Sequence, residues 1–303
     1  MPDAREIWLS ASAPLANSIA VARHSGWPGA LEQWCPYDDG VRTPVALTIA
    51  GSDPSGSSGL QADIPTVAAF GVHATSVLTL ITAQNSLGIQ QFHPLASELV
   101  AAQLESLLAD MAPRATKTGL LYSAPVLDVV GAGAAALGAL VVDPVMVNSA
   151  GRLIVEQQVV ERYRSLCAHA AVITPNRREA ELLVGSSDAF DDADAVVGAA
   201  EALRDLGAET VVVTGGRGTD TRAVDVVISQ HAVDVVDIER VGDEIIRGTV
   251  CTFSAAILAA LARGESPADA ITAARGFVQM QLGAANRVIG SGRPGVPHVF
   301  ARE

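Results

Sequence analysis

Residues 45–70, VALTIAGSDPSGSSGLQADIPTVAAF, decide the fold of the chain. A short β-branched run leads into a loop of glycine and serine residues, and a helical pattern begins near Leu60. From here to the C-terminus, short apolar runs alternate with longer stretches rich in Ala and Leu. This alternation is typical of βαβ units around a parallel sheet. The sequence therefore predicts a doubly wound α/β domain.

The same alternation places the elements along the chain. The predicted strands are Val45–Ala50, Ser76–Thr82, Ala115–Thr118, Leu140–Val142, Ala171–Thr174 and Thr210–Thr214. The predicted helices are Leu60–Phe70, Ala96–Ala112, Ala124–Leu137, Val155–Ala168, Arg177–Val184, Ala193–Leu206, Thr249–Arg263 and Pro267–Ala284. Two further runs, Ala223–Ser229 and Ala232–Ile238, are joined too tightly for a helix between them. They predict an antiparallel hairpin at one edge of the sheet.

Composition excludes several classes of protein. With 303 residues, 49% of them hydrophobic, the chain can build a sizeable core, which excludes a disordered protein. A net charge of −13 would repel nucleic acids and anionic membranes. The longest uncharged apolar run, Val129–Val142, is shorter than the ~20 residues that a membrane span needs. We expect no nucleic-acid or membrane partner, and a phosphate ligand would need local positive charge.

The cysteines and the N-terminus indicate a cytoplasmic protein. Cys35, Cys167 and Cys251 lie far apart, which suits a reducing compartment without a disulfide framework. The start of the chain has acidic residues and no apolar segment of the kind found in secretory signals. Residues 1–44 contain all three tryptophans and are expected to form an N-terminal extension, although a start codon placed too far upstream is a rival explanation. Residues 45–303 are expected to form one domain.

Two loops that follow predicted strands carry candidate chemistry. Small residues in Gly51–Gly59 would let backbone amides approach a ligand, although ordinary strand-to-helix connectors share this composition. The loop matches neither the P-loop nor the dinucleotide-binding pattern. Asp143 comes directly after a buried strand, where a carboxylate can hold Mg²⁺ through water and Val145 can line an apolar pocket. A capped turn would explain Asp143 equally well.

Two helix starts are the other candidates. Asn176 and Glu179 have the spacing of a capping box, which is a sufficient structural explanation, and a second metal carboxylate is the functional alternative. Small residues at the start of the helix that follows Arg247 leave amides free to meet an anion. Cys251, in the first turn, could have a lowered pKa and act as a base or polar contact. A buried structural cysteine is the alternative.

Taken together, six motifs resemble one known family. They are ALTIAGSDPSGSSGLQAD (46–63), TAQN (82–85), TKTG (116–119), VVDPVMVNSAG (141–151), ITPNRREAELL (173–183) and GTVCTFSAAI (248–257). Their order and spacing resemble the hydroxymethylpyrimidine and hydroxymethylpyrimidine-phosphate kinases of thiamine biosynthesis, which lie near the pyridoxal kinases. The resemblance covers the chain from about Val45 to the C-terminus.

The resemblance implies a fold and an activity. The implied fold is a ribokinase-like three-layer sandwich, with a mostly parallel central sheet flanked by helices and a small antiparallel edge hairpin. The implied activity is ATP-dependent phosphorylation of hydroxymethylpyrimidine, its monophosphate or both, with ATP and Mg²⁺ as cofactors. A homodimer is also expected, because the family commonly forms dimers.

Site residues follow from the resemblance position by position. The residues implied around the pyrimidine are Gly51, Asp63, Thr82, Gln84, Leu120 and Val145. The side-chain amide of Gln84 would donate one hydrogen bond to the ring and accept another from it. Residues implied at the nucleotide are Asn176, Thr214, Gly216 and Arg247. Asp143 and Glu179 would hold Mg²⁺ through water. The anion hole and the group facing the hydroxymethyl are implied to be Gly248, Thr249, Val250 and Cys251.

Several positions depart from the family pattern. The family's usual His-Gly-Thr-Gly-Cys is Arg247-Gly-Thr-Val250-Cys here, and Val250 keeps its amide but adds bulk and disfavours a positive φ. Thr214 stands where the family has lysine, Leu120 where it usually has methionine, and Pro65 where it has lysine. Three hypotheses remain open: a working pyrimidine kinase, a divergent paralogue acting on another alcohol such as a pyridoxal-like compound or secondary metabolite, and a catalytically silent ligand-binding member.

Overall fold

A computed structural model describes residues 43–148, 151–185, 193–216, 222–229, 232–239, 246–284, 290–296 and 298. Its strands are β1 (Val45–Ser52), β2 (His73–Asn85), β3 (Gly88–Pro94), β4 (Ala115–Thr118), β5 (Ala139–Val142), β6 (Val172–Ile173), β7 (Thr210–Gly216), β8 (Arg222–Ile228) and β9 (Val233–Glu239). Its helices are α1 (Gly59–Ala69), α2 (Ser97–Leu108), α3 (Ala124–Gly133), α4 (Gln157–Cys167), α5 (Arg177–Val184), α6 (Ala193–Arg204), α7 (Thr249–Arg263) and α8 (Pro267–Ala284). Residues 1–42 of the expected N-terminal extension lie outside the described residues.

The strands form one mixed sheet in the order β3-β2-β1-β4-β5-β6-β7-β8-β9. Strands β2, β1, β4, β5, β6 and β7 run parallel to one another. The predicted hairpin is present as β8 and β9, which pair antiparallel at one edge. A second antiparallel pair, β2 with β3, closes the other edge and was not predicted. Most of β3 is exposed, so it lacks the apolar alternation by which strands are recognised in a sequence.

Helices cover both faces of the sheet, and each face has its own core. Val141 in β5 faces the core built with α1, α7 and α8, whereas Leu140 and Val142 face the core built with α2 to α6. Successive residues of a strand point to opposite faces, so a strand that is buried on both sides reads as a continuous apolar run. The three-layer α/β architecture predicted from the sequence is confirmed.

Local signals explain where several helices begin and end. Asn176 and Glu179 form the predicted capping box at the start of α5, and α5, α7 and α8 have the predicted bounds. Helix α3 ends earlier than expected, at Gly133, and residues 134–136 continue as a 3₁₀ turn. Within the described residues, no helix is both long and apolar enough to cross a bilayer.

The parallel strands bring their carboxyl ends to one edge of the sheet. The chain leaves β1 toward β2 on one side, and β4 lies on the other side of β1. The order of the strands therefore reverses at β1, and in such sheets a crevice forms at the reversal, beyond the carboxyl ends of the strands. The loop 53–58 and the residues Gly119, Asp143 and Asn176 all follow strands at this edge.

Candidate active site

A cleft of about 1740 Å³ lies at the carboxyl ends of the parallel strands. Fourteen of the sixteen site residues predicted from the sequence line it. Gly216 lies within β7, where it pairs with Val224 of β8. Asp63 is completely buried on α1, behind the wall of the cleft. Residues from distant parts of the sequence therefore meet at one place.

Lys117, the only lysine in the chain, connects Asp63 to the cleft. Its amino group lies 2.6 Å from Asp63 Oδ1 and 3.7 Å from Asp143 Oδ2, and all three side chains are buried. The other oxygen of Asp63 accepts a hydrogen bond from Thr48 Oγ1 at 2.5 Å. Both oxygens of Asp63 are thus occupied by protein groups. Asp63 would therefore affect a substrate only through Lys117. The substrate contact predicted for Asp63 stays a prediction.

The charges in this cluster oppose one another. Burial works to lower the pKa of Lys117, but Asp63, Cys251 and Asp143 outweigh it, so this pKa is raised and the ammonium form is stabilised. Burial raises the pKa of Asp143, against the opposing effects of Lys117 and a hydrogen bond from Ser254. The floor of the cleft therefore contains a cation with negative charge on both sides of it.

Arg247 connects the loop before α7 to two other parts of the cleft wall. Its guanidinium Nη1 donates to the carbonyl oxygen of Asn85 at 2.9 Å, and Nη2 lies 3.4 Å from Asp53 Oδ2. Asp53 is itself buried and accepts hydrogen bonds from the amides and hydroxyls of Ser55 and Ser58, which shapes the glycine-rich loop. Arg247 thus holds three segments together. Its predicted contact with a nucleotide stays a prediction.

The first turn of α7 forms the candidate anion hole. Gly248 caps the helix with φ 82°, and a Cβ at this position would lie 1.6 Å from the carbonyl oxygen of Ser57. Val250 lies inside the helix and does not have a positive φ. The first amides of a helix lack intrahelical acceptors and attract anions. The left-handed residue is therefore Gly248, and a valine at 250 is compatible with the backbone.

Cys251 does not have the lowered pKa that its place in the first helical turn suggested. Burial, followed by the negative charge of Asp143, raises the pKa of its thiol to about 12, and Lys117 only partly opposes this. The expected effect of the helix N-terminus is overridden because the thiolate loses its hydration inside the protein. At neutral pH Cys251 is therefore a thiol.

Asp143 and Glu179 form a pair of buried carboxyl groups suited to a hard cation. Burial, followed by repulsion from Asp143, raises the pKa of Glu179 to about 8. A cation such as Mg²⁺ would relieve this repulsion, and carboxylate oxygens are the ligands it prefers. The Glu179 oxygens accept from the amides of Asn176 and Met146 at 3.1 and 3.2 Å. Contact through water therefore fits better than direct coordination.

One end of the cleft has the predicted pyrimidine residues. Thr82 donates to the carbonyl oxygen of Ser52 at 2.8 Å and lies 3.3 Å from Gln84 Oε1. Gly51 packs against Leu80 so closely that a Cβ would lie 2.9 Å from Leu80 Cγ. Leu120 also lines this end, and its carbonyl oxygen accepts a hydrogen bond from Thr79. The amide of Gln84 is thereby presented beside an apolar surface, an arrangement that can read a flat polar ring.

Basic and acidic side chains both line the cleft. Arginines from several elements line it: Arg152, Arg177, Arg178, Arg247, Arg275 and Arg293. Asn176 is bridged to Thr214, which brings the ends of β6 and β7 together. Carboxylates line the cleft too: Glu181 pairs with Arg177 and Arg178, and Asp53 pairs with Arg247, so the excess of positive charge available to a phosphate is small.

Sequence reasoning did not assign four residues that shape this site. Lys117 was noticeable as a charged residue in a predicted buried strand, and Asp53 lies inside the glycine-rich loop. Ser254, which donates to Asp143 Oδ2 at 2.9 Å, and Arg275 on α8 carry no local signal, because each is one polar residue within a helical pattern. Only the packing of α7 and α8 on the sheet brings them to the cleft.

Comparison with known proteins agrees with this geometry. Residues 53–295 match the family model described as phosphomethylpyrimidine kinase. The chain is 38% identical over 263 residues to the hydroxymethylpyrimidine/phosphomethylpyrimidine kinase of Synechococcus elongatus, covering 86% of this chain and 99% of that protein.

Two solved structures are similar throughout their length. The ADP complex of Bacillus subtilis pyridoxal kinase matches with a TM-score of 0.76 and 33% identity, covering 85% of this chain and 98% of that one. The phosphomethylpyrimidine kinase of Clostridium difficile matches with a TM-score of 0.69 and 32% identity, covering 78% and 98%.

Proposed function

Because the chain belongs to the phosphomethylpyrimidine kinase family, we propose that it transfers a phosphoryl group from ATP to hydroxymethylpyrimidine, its monophosphate or both, in thiamine biosynthesis. The observation that carries the proposal is the hydrogen bond from Ser254 on α7 to Asp143, at 2.9 Å. It fixes the amides at the start of α7 beside a buried carboxylate, so an anion and its counter-cation would meet there. The free cysteines Cys167 and Cys251 support a cytoplasmic location.

Each part of the cleft then has a task. Gln84 hydrogen-bonds the edge of the pyrimidine, while Gly51 and Val145 allow the ring to lie flat. The amides of the first turn of α7 stabilise the negative charge that develops on the transferred phosphoryl group. Phosphoryl transfer depends mainly on this stabilisation and on holding the two substrates in position. Mg²⁺ held through Asp143 and Glu179 would supply charge neutralisation at the phosphates. Cys251 lies in the same helical turn and lines the cleft, so its side chain is placed to hydrogen-bond the substrate hydroxyl.

A coupled assay of ADP release from Mg²⁺ and ATP tests the proposal. Hydroxymethylpyrimidine, its monophosphate and pyridoxal should each be supplied as acceptor, because pyridoxal kinase is among the similar structures. We expect turnover with one or both pyrimidines. Turnover with pyridoxal alone would favour the divergent paralogue. Retained binding of ligands without turnover would contradict the proposal and favour a catalytically silent member.

Replacing Val250 by glycine should leave kcat/KM within about threefold of the original. Val250 lies in the first helical turn and presents an amide that any residue supplies. Glycine in a helix costs about 1 kcal/mol of stability, which is the main expected effect. Steady-state kinetics and urea unfolding measure the two quantities.

Leu99→Gly is the matched control, because Leu99 is half exposed in the first turn of α2 and is not among the residues that line the cleft. Both variants should lose similar stability. A rise of tenfold or more in the activity of Val250→Gly alone would show that the native valine impairs the anion hole.

We also propose a homodimer formed through the β2–β3 edge. Ile81, Ile89 and Phe92 there are close to half exposed, at 48, 44 and 48%. An edge strand with unpaired backbone groups and apolar side chains is a ready surface for a second copy. Sedimentation of the full chain should show a dimer at micromolar concentration, and Phe92→Glu should shift it toward monomer. A monomeric wild-type chain would contradict this arrangement.

A further inference from the structure

Residues 292–296, which follow α8, pair with the residue that precedes the candidate anion hole. Both backbone groups of Arg247 bind this segment: its N–H donates to the carbonyl oxygen of Pro294 at 2.9 Å, and its carbonyl oxygen accepts from the N–H of Val296 at 3.0 Å. The two stretches lie side by side in the manner of short parallel strands. Val296 is buried, so the pairing is part of the interior. Since Gly248 is bonded directly to Arg247, the segment fixes the backbone from which α7 begins.

The other end of the segment binds the turn between β2 and β3. The N–H of Gly292 donates to Ser86 Oγ at 3.1 Å, and the N–H of Arg293 donates to the carbonyl oxygen of Ser86 at 3.1 Å. The side chain of Arg247 binds the same turn, because its Nη1 donates to the carbonyl oxygen of Asn85. The segment therefore connects the start of α7 to the part of the cleft wall that β2 forms.

Ser57 of the glycine-rich loop lies between the segment and the anion hole. A Cβ at Gly295 would lie 2.1 Å from Ser57 Oγ and 2.6 Å from Ser57 Cβ. On its other side, the carbonyl oxygen of Ser57 lies directly against Gly248. Protein interiors are close-packed, so a displacement of Ser57 from one side moves the groups that pack on the other. A change at Gly295 would therefore reach Gly248 without altering any residue of the anion hole.

His298 adds a contact to the first turn of α7. Its Nε2 lies 2.9 Å from Thr252 Oγ1, and the Thr252 hydroxyl donates to the carbonyl oxygen of Gly248 at 2.8 Å. A hydroxyl has one hydrogen, so the imidazole donates here and Thr252 accepts from it. His298 has φ 45°, an uncommon conformation for a residue other than glycine, which surrounding contacts must hold in place. Contacts at Arg247, Ser57 and Thr252 thus converge on Gly248.

We propose that residues 292–296 and His298 are positioning residues for phosphoryl transfer, which hold the first amides of α7 at the correct distance from the glycine-rich loop. The inference rests on the proposed function of these amides and extends it to residues that need not touch the substrate. A misplacement of about 1 Å caused by a change far from the chemistry can cost about 100-fold in rate. Gln84 and Leu120, at the pyrimidine end, belong to other parts of the chain. The segment should therefore affect kcat more than the KM of the acceptor.

Gly295→Ala, made with and without Ser57→Gly, tests this inference. Gly295 does not have a positive φ, so an alanine there adds contact with Ser57 and no backbone strain. We expect kcat to fall at least about tenfold, with the KM of the pyrimidine within about threefold of the original. In the Ser57→Gly background the contacting Cβ and Oγ are absent, and the same alanine should change kcat less than about threefold, as a double-mutant cycle measures.

Two further variants complete the set. Gly131→Ala on α3 is the matched control and should keep its kcat, because nothing lies within 4 Å of the added Cβ and Gly131 is not among the residues that line the cleft. His298→Ala introduces no clash and should lower kcat about threefold or more by removing the contact with Thr252. It keeps the inference testable if Gly295→Ala does not fold. Urea unfolding measures the stability of every variant.

The outcomes separate a positioning role from a structural one. Lower stability with normal kcat in both Gly295→Ala and His298→Ala would overturn the inference, because the segment would then serve the fold alone. An equal loss of kcat from Gly295→Ala in the two Ser57 backgrounds would overturn it as well, because the effect would not pass through Ser57. A wild-type chain without turnover would overturn the proposed function itself, and the inference with it.

Discussion

Replacing Gly248 by alanine is expected to lower kcat/KM by about 100-fold or more. The added Cβ would lie 1.6 Å from the carbonyl oxygen of Ser57, so the loop before α7 and the glycine-rich loop cannot keep their present distance. That displacement moves the first amides of α7 away from the transferred phosphoryl group. Loss of one such donor at an oxyanion site costs about 10²- to 10³-fold in rate. Steady-state kinetics with ATP and the pyrimidine acceptor measure the effect.

Gly264→Ala is the matched control for this prediction. Gly264 ends the same helix with φ 94°, and nothing lies within 4 Å of the position where its Cβ would be. Both variants carry the cost of an alanine in the left-handed region, about 1–2 kcal/mol. Only Gly248→Ala also carries the clash, so only it should lose activity. Equal activity in the two variants would contradict the proposed role of the α7 amides.

Replacing Lys117 by methionine is expected to lower the free energy of unfolding by about 3–5 kcal/mol, since it leaves buried carboxylates without their cation. The ion pair with Asp63 is 2.6 Å long, and both side chains have 0% exposure. Methionine fills similar space, so packing is largely retained and the charge is the main change. Urea unfolding at pH 7, followed by circular dichroism, measures the difference.

Arg162→Met provides the comparison for Lys117→Met. Arg162 and Asp128 form an ion pair of the same length, 2.6 Å, but their side chains are 48 and 56% exposed. An exposed pair contributes about 0–1 kcal/mol, because water screens it. The double variant Asp63→Asn with Lys117→Met should recover part of the lost stability. If Lys117→Met lowers the free energy of unfolding no more than Arg162→Met does, Lys117 does not stabilise the buried cluster.

The two predictions concern residues with different roles, one in catalysis and one in stability. Gly248 acts through the position of backbone amides, so its replacement should change activity more than stability. Lys117 acts through charge balance in the interior, so its replacement should change stability first. A single set of variants, measured for stability and for rate, separates the two roles.

Patterns that are local in the sequence were sufficient to predict the fold and many of the residues that line the cleft. The alternation of apolar runs predicted the parallel sheet, and the capping spacing of Asn176 and Glu179 predicted the start of α5. The position of residues after strands predicted that they would meet, because parallel strands end at a common edge. The six ordered motifs led to the family that the comparisons then confirmed.

Other properties depended on contacts between residues far apart in the chain. Lys117 meets Asp63 across 54 positions, and Arg247 meets Asp53 across 194. The edge strand β3 has no apolar pattern of its own and forms only because β2 is there to pair with it. No sequence spacing encodes such contacts, which arise when helices pack on the sheet.

The pKa of Cys251 shows most clearly how tertiary structure can override a prediction made from local sequence. Its place in the first turn of a helix favoured a lowered pKa, and that much could be inferred from the sequence alone. The structure instead places the thiol, partly shielded from water, near the negative charge of Asp143, and its pKa rises to about 12. The sequence by itself determined the βαβ order and the helix starts, because hydrophobic period and capping act between near neighbours. Only the tertiary structure decided which charged groups meet at the site, because burial and charge proximity depend on the whole packed environment.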